Sequence, residues 1–276
     1  MRLLKRFLQR MLILGLGIFT IWLIVFVVFE DTERRLPLIL ALGLTYGIAA
    51  YVLLPWAVRM GLRILHRKRV PSFTTTGDGL PGDPVNVALV GTLPQLRAAF
   101  AVLGWSEADP LSLASSWDMV RAFVSNSPYP TAPFSTFYLF GRGQDIGFQN
   151  PIGNSPRKRH HIRFWALSLV RAEETWGAGS FWLNTDRPPD NEPVLWVGAG
   201  TRDTGLSFTE LTFQITHATD SDTNFERDYI IDELKKARTI ETVQVYQAGE
   251  RLPTEHVNHY ITDGRVTLAR LVVHDT

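Results

Sequence analysis

The stretch Arg157 to Trp165, RKRHHIRFW, concentrates the side chains best suited to chemistry in this chain of 276 residues. Read as a β-strand, it alternates, sending His160, Ile162 and Phe164 to one face and His161, Arg163 and Trp165 to the other. The two adjacent histidines therefore have different jobs. His160 is expected beside apolar neighbours, either as a satisfied buried histidine or as an acid–base group. His161 and Arg163 make a cationic, stackable surface suited to phosphate or carboxylate, or else an ordinary solvated sheet face.

Similar chemistry recurs at other strand ends. Trp196 to Asp203 (WVGAGTRD) and Thr216-His217 place polar groups where function tends to collect. Alternation from Leu211 through Phe213 and Ile215 puts His217 on an apolar face. Three function classes follow, the third being a structural subunit of a membrane protein complex that uses the domain to bind another protein. In the first, Arg142, His161, Arg163 and Arg227 hold an anionic group such as a lipid phosphate. In the second, His160, His217, Asp145, Asp203 and Asp228 serve a hydrolase of the phosphoester type as acid–base groups or metal ligands. No spacing such as HExxH supports a metal, so no metal and no cofactor are expected.

Several motifs fail on inspection. Asp220, Asp222 and Asn224 open like a calcium loop, but Phe225 stands where glycine must turn the chain, and Ile231 where the bidentate glutamate belongs. A capping box of Thr223 and Glu226 explains that stretch locally. Gly141, Gly143 and Gly147 miss the spacing of a dinucleotide fingerprint and suit a hairpin better. There is no P-loop and no GxSxG elbow. The chain contains no cysteine, which excludes disulfides, thiolate nucleophiles and iron–sulfur clusters. Its 28 basic and 27 acidic residues give no case for nucleic acid.

The elements that must position these residues read as an α+β domain, a mostly antiparallel mixed sheet with flanking helices, preceded by an all-α transmembrane hairpin. Val85 to Val90 predicts a strand, Leu93 to Leu103 a helix with Pro94 in its first turn, and Leu111 to Val124 a second helix. Thr136 to Phe140 and Asp145 to Phe148 predict a hairpin around Gly141-Arg142-Gly143-Gln144. Strands are expected over His160 to Leu169, Val194 to Ala199 and Leu206 to Ile215. A helix from Asn224 to Ala237 and strands over Thr242 to Tyr246 and Val266 to Val273 close the domain. Pro71 to Pro84, rich in Gly, Pro and Thr, reads as a linker, so the divisions fall at 1–70, 71–84 and 85–276.

Met11 to Phe29 is a charge-free run of the ~20 residues needed to cross a bilayer, and Leu36 to Val58 is a second. The link Glu30 to Arg35 is short enough to force a tight antiparallel hairpin. Arg2, Lys5, Arg6 and Arg10 precede the first run, and Arg59, Arg63, Arg67, Lys68 and Arg69 follow the second. By the positive-inside rule both termini are expected in the cytoplasm, in a bacterial inner membrane. Gly43 and Gly47 have the spacing of a close helix contact. The basic exit predicts a topology signal or an amphipathic helix along the headgroups. Partners expected on this reading are the bilayer, an anionic lipid or other phosphate-bearing ligand, and a second membrane protein, with no nucleic acid.

Taken together, Asp83-Pro84-Val85-Asn86, Leu103-Gly104-Trp105, FGRGQDIGF (Phe140 to Phe148), RHHIRFW, WVGAGTRDTG, Thr216-His217 and Glu226-Arg227-Asp228 resemble the C-terminal domain of LssY-type proteins. The resemblance covers roughly Pro81 to Tyr246. It implies an envelope or membrane-lipid setting, because relatives carry this domain beside membrane domains. It brings no activity with it, and no phosphatase motif accompanies the domain here.

Overall fold

The protein is described here from a computed structural model, which describes residues 2–65, 71–77, 79–153, 156–167, 189–208, 215–247 and 262–272. The chain opens with α1 (Arg2–Trp22), passes through a π-helical stretch (Leu23–Phe29) and continues as α2 (Glu30–Arg35). The charged link expected as a turn is therefore helical. Its charges suit that role: Glu30 pairs with Arg34 at 3.2 Å and Asp31 with Arg35 at 2.7 Å, each one helical turn apart. The break falls at Leu36-Pro37, where proline cannot continue a helix. The helical path resumes as α3 (Leu38–Ile48), a π-helical stretch (Ala49–Leu53) and α4 (Leu54–Leu65).

The stretch Arg10–Arg35 is long and apolar enough to cross a membrane, and 6% of its apolar window is buried, so it is not the core helix of a soluble fold. The second helical segment packs back on the first, and Thr32 Oγ1 lies 3.1 Å from Thr45 Oγ1. Gly43 and Gly47 do not make that contact. A Cβ at either would meet nothing within 4 Å, so the GxxxG reading is corrected. Of the basic exit, residues 66–70 lie outside the described residues.

The globular part is α+β. Its strands are β1 (Phe73–Thr75), β2 (Pro81–Pro84), β3 (Val87–Gly91), β4 (Ser106–Glu107), β5 (Tyr138–Leu139), β6 (Arg142–Gly143), β7 (Ile146–Pro151), β8 (Arg159–Leu167), β9 (Val194–Phe208), β10 (Ile215–Thr219), β11 (Ile240–Gln247) and β12 (Arg265–Leu271). An eight-stranded sheet runs β11-β12-β3-β9-β8-β7-β4, with β10 paired to β9, and a four-stranded sheet runs β2-β1-β5-β6. All pairings are antiparallel except β12 with β3. The helices are α5 (Leu93–Val102), α6 (Leu113–Ser125) and α7 (Thr223–Lys236).

Three expectations change. The supposed linker contains β1 and β2, and it buries Thr74 and Asp83. The FGRGQDIGF hairpin turns at Phe140 and Gly141, both at positive φ, so its arms are β5 and β6, and Ile146 onward belongs to the large sheet. Strand β9 does not stop at Ala199 but runs unbroken through Val194–Phe208, and residues 209–214 of the strand expected over Leu206 to Ile215 lie outside the described residues.

Strand β8 is central, both its edges being paired by β7 and β9, and other layers pack on its two faces. On one side, Ile162 and Phe164 join Val87, Leu89, Phe148 and Trp196 beneath α5 and α7, whose Phe100, Ile230 and Leu234 complete the core. On the other, Trp165 joins Val85, Val197 and Leu139, with Phe137 and Phe140 of the small-sheet layer packed against them. Glycines in WVGAG permit the first of these contacts: a Cβ on Gly198 would sit 2.6 Å from Phe164, and one on Gly200 2.7 Å from Ile230.

Candidate functional site

The odd-numbered residues of RHHIRFW face the small sheet and are buried. Register places Arg159 opposite Asp203, and places His161 between Gln149 and Thr201. Arg159 Nε donates to Asp203 Oδ2 at 2.8 Å, its Nη1 donates to Gln149 Oε1 at 2.6 Å, and its side chain is 1% exposed. Burial pulls this guanidinium below the ordinary arginine value, and Asp203 works against that pull. Arg163 Nη1 donates to Asp83 Oδ2 at 2.5 Å, and its guanidinium lies over Phe137 and Phe134 at 4.3 and 5.0 Å.

His161 links the two ion pairs. Its Nε2 is 2.7 Å from Arg163 Nη1 and 3.0 Å from Thr201 Oγ1. Arginine can only donate, so Nε2 accepts, and the ring proton sits on Nδ1 facing Asp203 Oδ1 at 3.5 Å. Two guanidinium groups, two carboxylates and a neutral imidazole thus balance their charge inside the fold. The surface expected of His161 and Arg163 is an interior, because β2 and the Phe134–Phe137 segment cover it.

The even face ends differently. His160 lies just past the hydrophobic packing of Ile162, level with Asn150 on β7 and Arg202 on β9, so three neighbouring strands present an amide, an imidazole and a guanidinium in one row. Behind the row stands Glu226, whose Oε2 is 2.8 Å from His160 Nδ1 and whose side chain is 1% exposed, against 14% for His160. Burial pushes the Glu226 carboxyl above its ordinary value, and the hydrogen bond from His160 resists the push. Tyr229 stacks on the imidazole at 4.4 Å, with Trp105 at 6.4 Å. An ionised carboxylate only accepts, so Nδ1 carries the proton in the neutral ring and Nε2 keeps a lone pair. Nε2 takes no partner among the described residues, and it is not among their buried unpartnered atoms, which leaves it open to solvent.

Helix α7 supplies this support in an unexpected way. The capping box of Thr223 and Glu226 does not form: Asp222 caps the helix, accepting from Asn224 N and Phe225 N, and Glu226 turns inward to His160. Asn86 holds the helix start against the sheet. Its Nδ2 donates to Gly200 O at 2.9 Å and Thr223 O at 3.2 Å, and its Oδ1 accepts from Gly200 N at 2.9 Å.

The remaining candidates scatter. Arg142 pairs with Asp145 at 2.6 Å, and Asp145 also accepts from Ala166 N at 2.6 Å. Asp145 borders a cleft of about 210 Å³ whose wall includes the Arg97–Glu107 ion pair and Trp196, on a different part of the sheet from His160. Arg227 is engaged by Asp228 at 2.8 Å and by Asp263 at 2.7 Å. Asp228 itself is 63% exposed. His217 is aligned with Leu206 on the β9–β10 ribbon, and its side chain lies outside the described residues. The hydrolase set of His160, His217, Asp145, Asp203 and Asp228 is therefore not assembled, since Asp203 faces away from His160 through the sheet. The anion set of Arg142, His161, Arg163 and Arg227 is engaged by carboxylates of the same chain and by Thr201. Among the described residues, no group of three or more His, Asp or Glu is placed to hold a metal.

Sequence reasoning missed Asp83, Arg159, Gln149 and Glu226 as members of these clusters. Asp83 and Glu226 stood inside stretches that carried the family resemblance, which was the available signal. Gln149 carried none.

No curated protein and no solved structure matches the chain. Residues 67–266 match the family described as LssY C-terminus. That match covers the small sheet, the large sheet up to the start of β12, the buried ion network and the His160 row, so the chain belongs to the LssY C-terminus family.

Proposed function

We propose that this protein is a membrane-anchored module of a bacterial inner membrane whose domain binds a phosphate-bearing anionic ligand at the Asn150–His160–Arg202 row. The helical segments cross twice, over residues of about 11–29 and 36–58, with both termini cytoplasmic. Basic residues flank the outer ends of this hairpin, whereas Arg34 and Arg35 at its turn are already paired with Glu30 and Asp31.

One observation carries the ligand reading: His160 keeps a solvent-facing Nε2 beside Arg202, whose guanidinium pairs with Asp220 but stays 35% exposed, whereas the buried His161, Arg142, Arg163 and Arg227 are held by groups of the fold. In its protonated form His160 would offer Nε2–H to an anion beside the Arg202 guanidinium. Calorimetry on the full chain in nanodiscs, titrated with glycerol 3-phosphate, tests it. Saturable binding that weakens in His160→Asn and in Arg202→Ala is expected. Equal binding of glycerol, or variants that bind like the parent, would overturn the reading.

A second reading rests on the neutral ring. With Nδ1–H directed to Glu226, Nε2 is a base oriented by a carboxylate, the arrangement used to activate water in hydrolysis. Phosphoester hydrolysis at the membrane surface then requires His160 and is lost in His160→Asn. Binding without release of inorganic phosphate excludes this reading and leaves the first.

A further inference from the structure

Helix α6 displays a stripe of large apolar side chains that the fold does not cover. Leu113, Trp117, Val120 and Val124 are 93%, 69%, 53% and 74% exposed, and their spacing of four, three and four residues places them along one side of the helix. Leu111, just before the cap, is 55% exposed.

The helix is fixed rather than frayed. Ser112 and Ser115 form a reciprocal cap at its start, the Asn126 C-cap takes the left-handed conformation, and Arg157 donates to the Phe123 carbonyl at 2.9 and 2.6 Å. Ser115 and Ala122 face the domain. The outward stripe is thus a consequence of how the helix is mounted.

We propose that α6 is an interfacial helix that lies in the headgroup region of an anionic bilayer, seating the domain on the membrane. The inference rests on the membrane anchor argued above. Two observations choose lipid over a protein groove. First, the chain carries its own apolar helix, and the seven residues between Leu65 and Phe73 span under about 30 Å, so the domain cannot leave the bilayer surface. Second, basic residues border the stripe: Arg121 is one turn from Trp117, and Arg157 and Lys158 lie at the helix's C-terminal end beside exposed Ile152. Tryptophan among Leu and Val, rimmed by arginine, is the composition of a helix lying at a lipid interface.

The absence of cysteine makes the test direct. The full chain in nanodiscs carries an environment-sensitive NBD label at Leu113→Cys, with Glu241→Cys on the exposed β11 strand as reference. The label at 113 is expected to emit at shorter wavelength and to be quenched by shallow brominated lipids, and the label at 241 to do neither. Removing Arg121 and Lys158 should lower the seated-to-free ratio by roughly fivefold each in anionic discs and leave neutral discs unaffected. A label at 113 that stays aqueous in a chain firmly embedded in its disc overturns the proposal and spares the anchor. Failure of the chain to enter discs overturns the anchor and, with it, the proposal. A label at 113 shielded without lipid quenching, with self-quenching between two labelled copies, assigns the stripe to a second copy and likewise overturns it.

Discussion

Replacing Asp203 with Asn removes the carboxylate facing Arg159 while keeping shape and volume. Arg159 and Asp203 are 1% and 2% exposed and meet at 2.8 Å, so the substitution leaves a cation in a site that solvent does not reach. Breaking a buried pair from one side costs about 3–5 kcal/mol, and replacing both partners by apolar residues of similar volume is often close to neutral. Here the range is tempered from below, because Arg159 keeps Gln149 Oε1 at 2.6 Å and the Ala132 carbonyl at 3.3 Å. It is raised from above, because Asp203 also faces the Nδ1 proton of His161 at 3.5 Å. We expect Asp203→Asn to lose about 3–5 kcal/mol, which lowers Tm by roughly 6–20 °C for a domain of this size. The pair Arg159→Met with Asp203→Leu should lose less than either single change. Thermal unfolding of the full chain in detergent, followed by near-ultraviolet circular dichroism of its tryptophans, measures all four corners of the cycle. A loss below about 1 kcal/mol in Asp203→Asn, or a double variant as damaged as the sum of the singles, would refute the claim that this network is structural.

Glu226, whose carboxyl is raised above its ordinary value of 4.5, makes a pH prediction with a definite sign. A raised group favours the fold most fully below the unfolded value, and that contribution fades as pH climbs through the folded one. The parent should therefore lose stability relative to Glu226→Gln from about pH 4.5 upward. Denaturant midpoints that shift in parallel across that window would contradict it. Gly200→Ala places a Cβ 2.7 Å from Ile230 and should cost about 1–3 kcal/mol while moving α7, and Glu226 with it, away from His160. Asn86→Ala removes three hydrogen bonds and orphans both backbone groups of Gly200, so a loss of about 2–4 kcal/mol is expected in the same unfolding assay.

Much of the α+β arrangement is legible because its signals are local. Thr92 and Gln95 form the capping box that starts α5 where Pro94 marked its first turn. Alternation in RHHIRFW sorted its two faces correctly, and it failed in expecting the His161 face at the surface. Nothing local in β8 reveals that β2 and Phe134 cover His161, because that cover comes from residues more than twenty positions away, β2 among them in a segment whose composition reads as linker. Glycine and proline in PGDP look like flexible chain, yet β2 needs only the pairing of Pro84 with Phe73 and of Pro81 with Thr75 to hold Asp83 against Arg163. Glu226 was misread for a related reason. Its spacing from Thr223 satisfies a local motif, and His160 on a distant strand competes for the same carboxylate more effectively.

The central claim is that β8 divides its histidines, with His161 locked inside the fold and His160 left to meet a ligand. Selective 15N-histidine NMR of the full chain in nanodiscs, titrated with glycerol 3-phosphate and assigned by His160→Asn, tests that division most directly. A saturable shift of the His160 Nε2 resonance is expected, with His161 unmoved in its Nδ1–H form. A His160 resonance indifferent to the phosphate, or a His161 resonance that moves in its place, would contradict it.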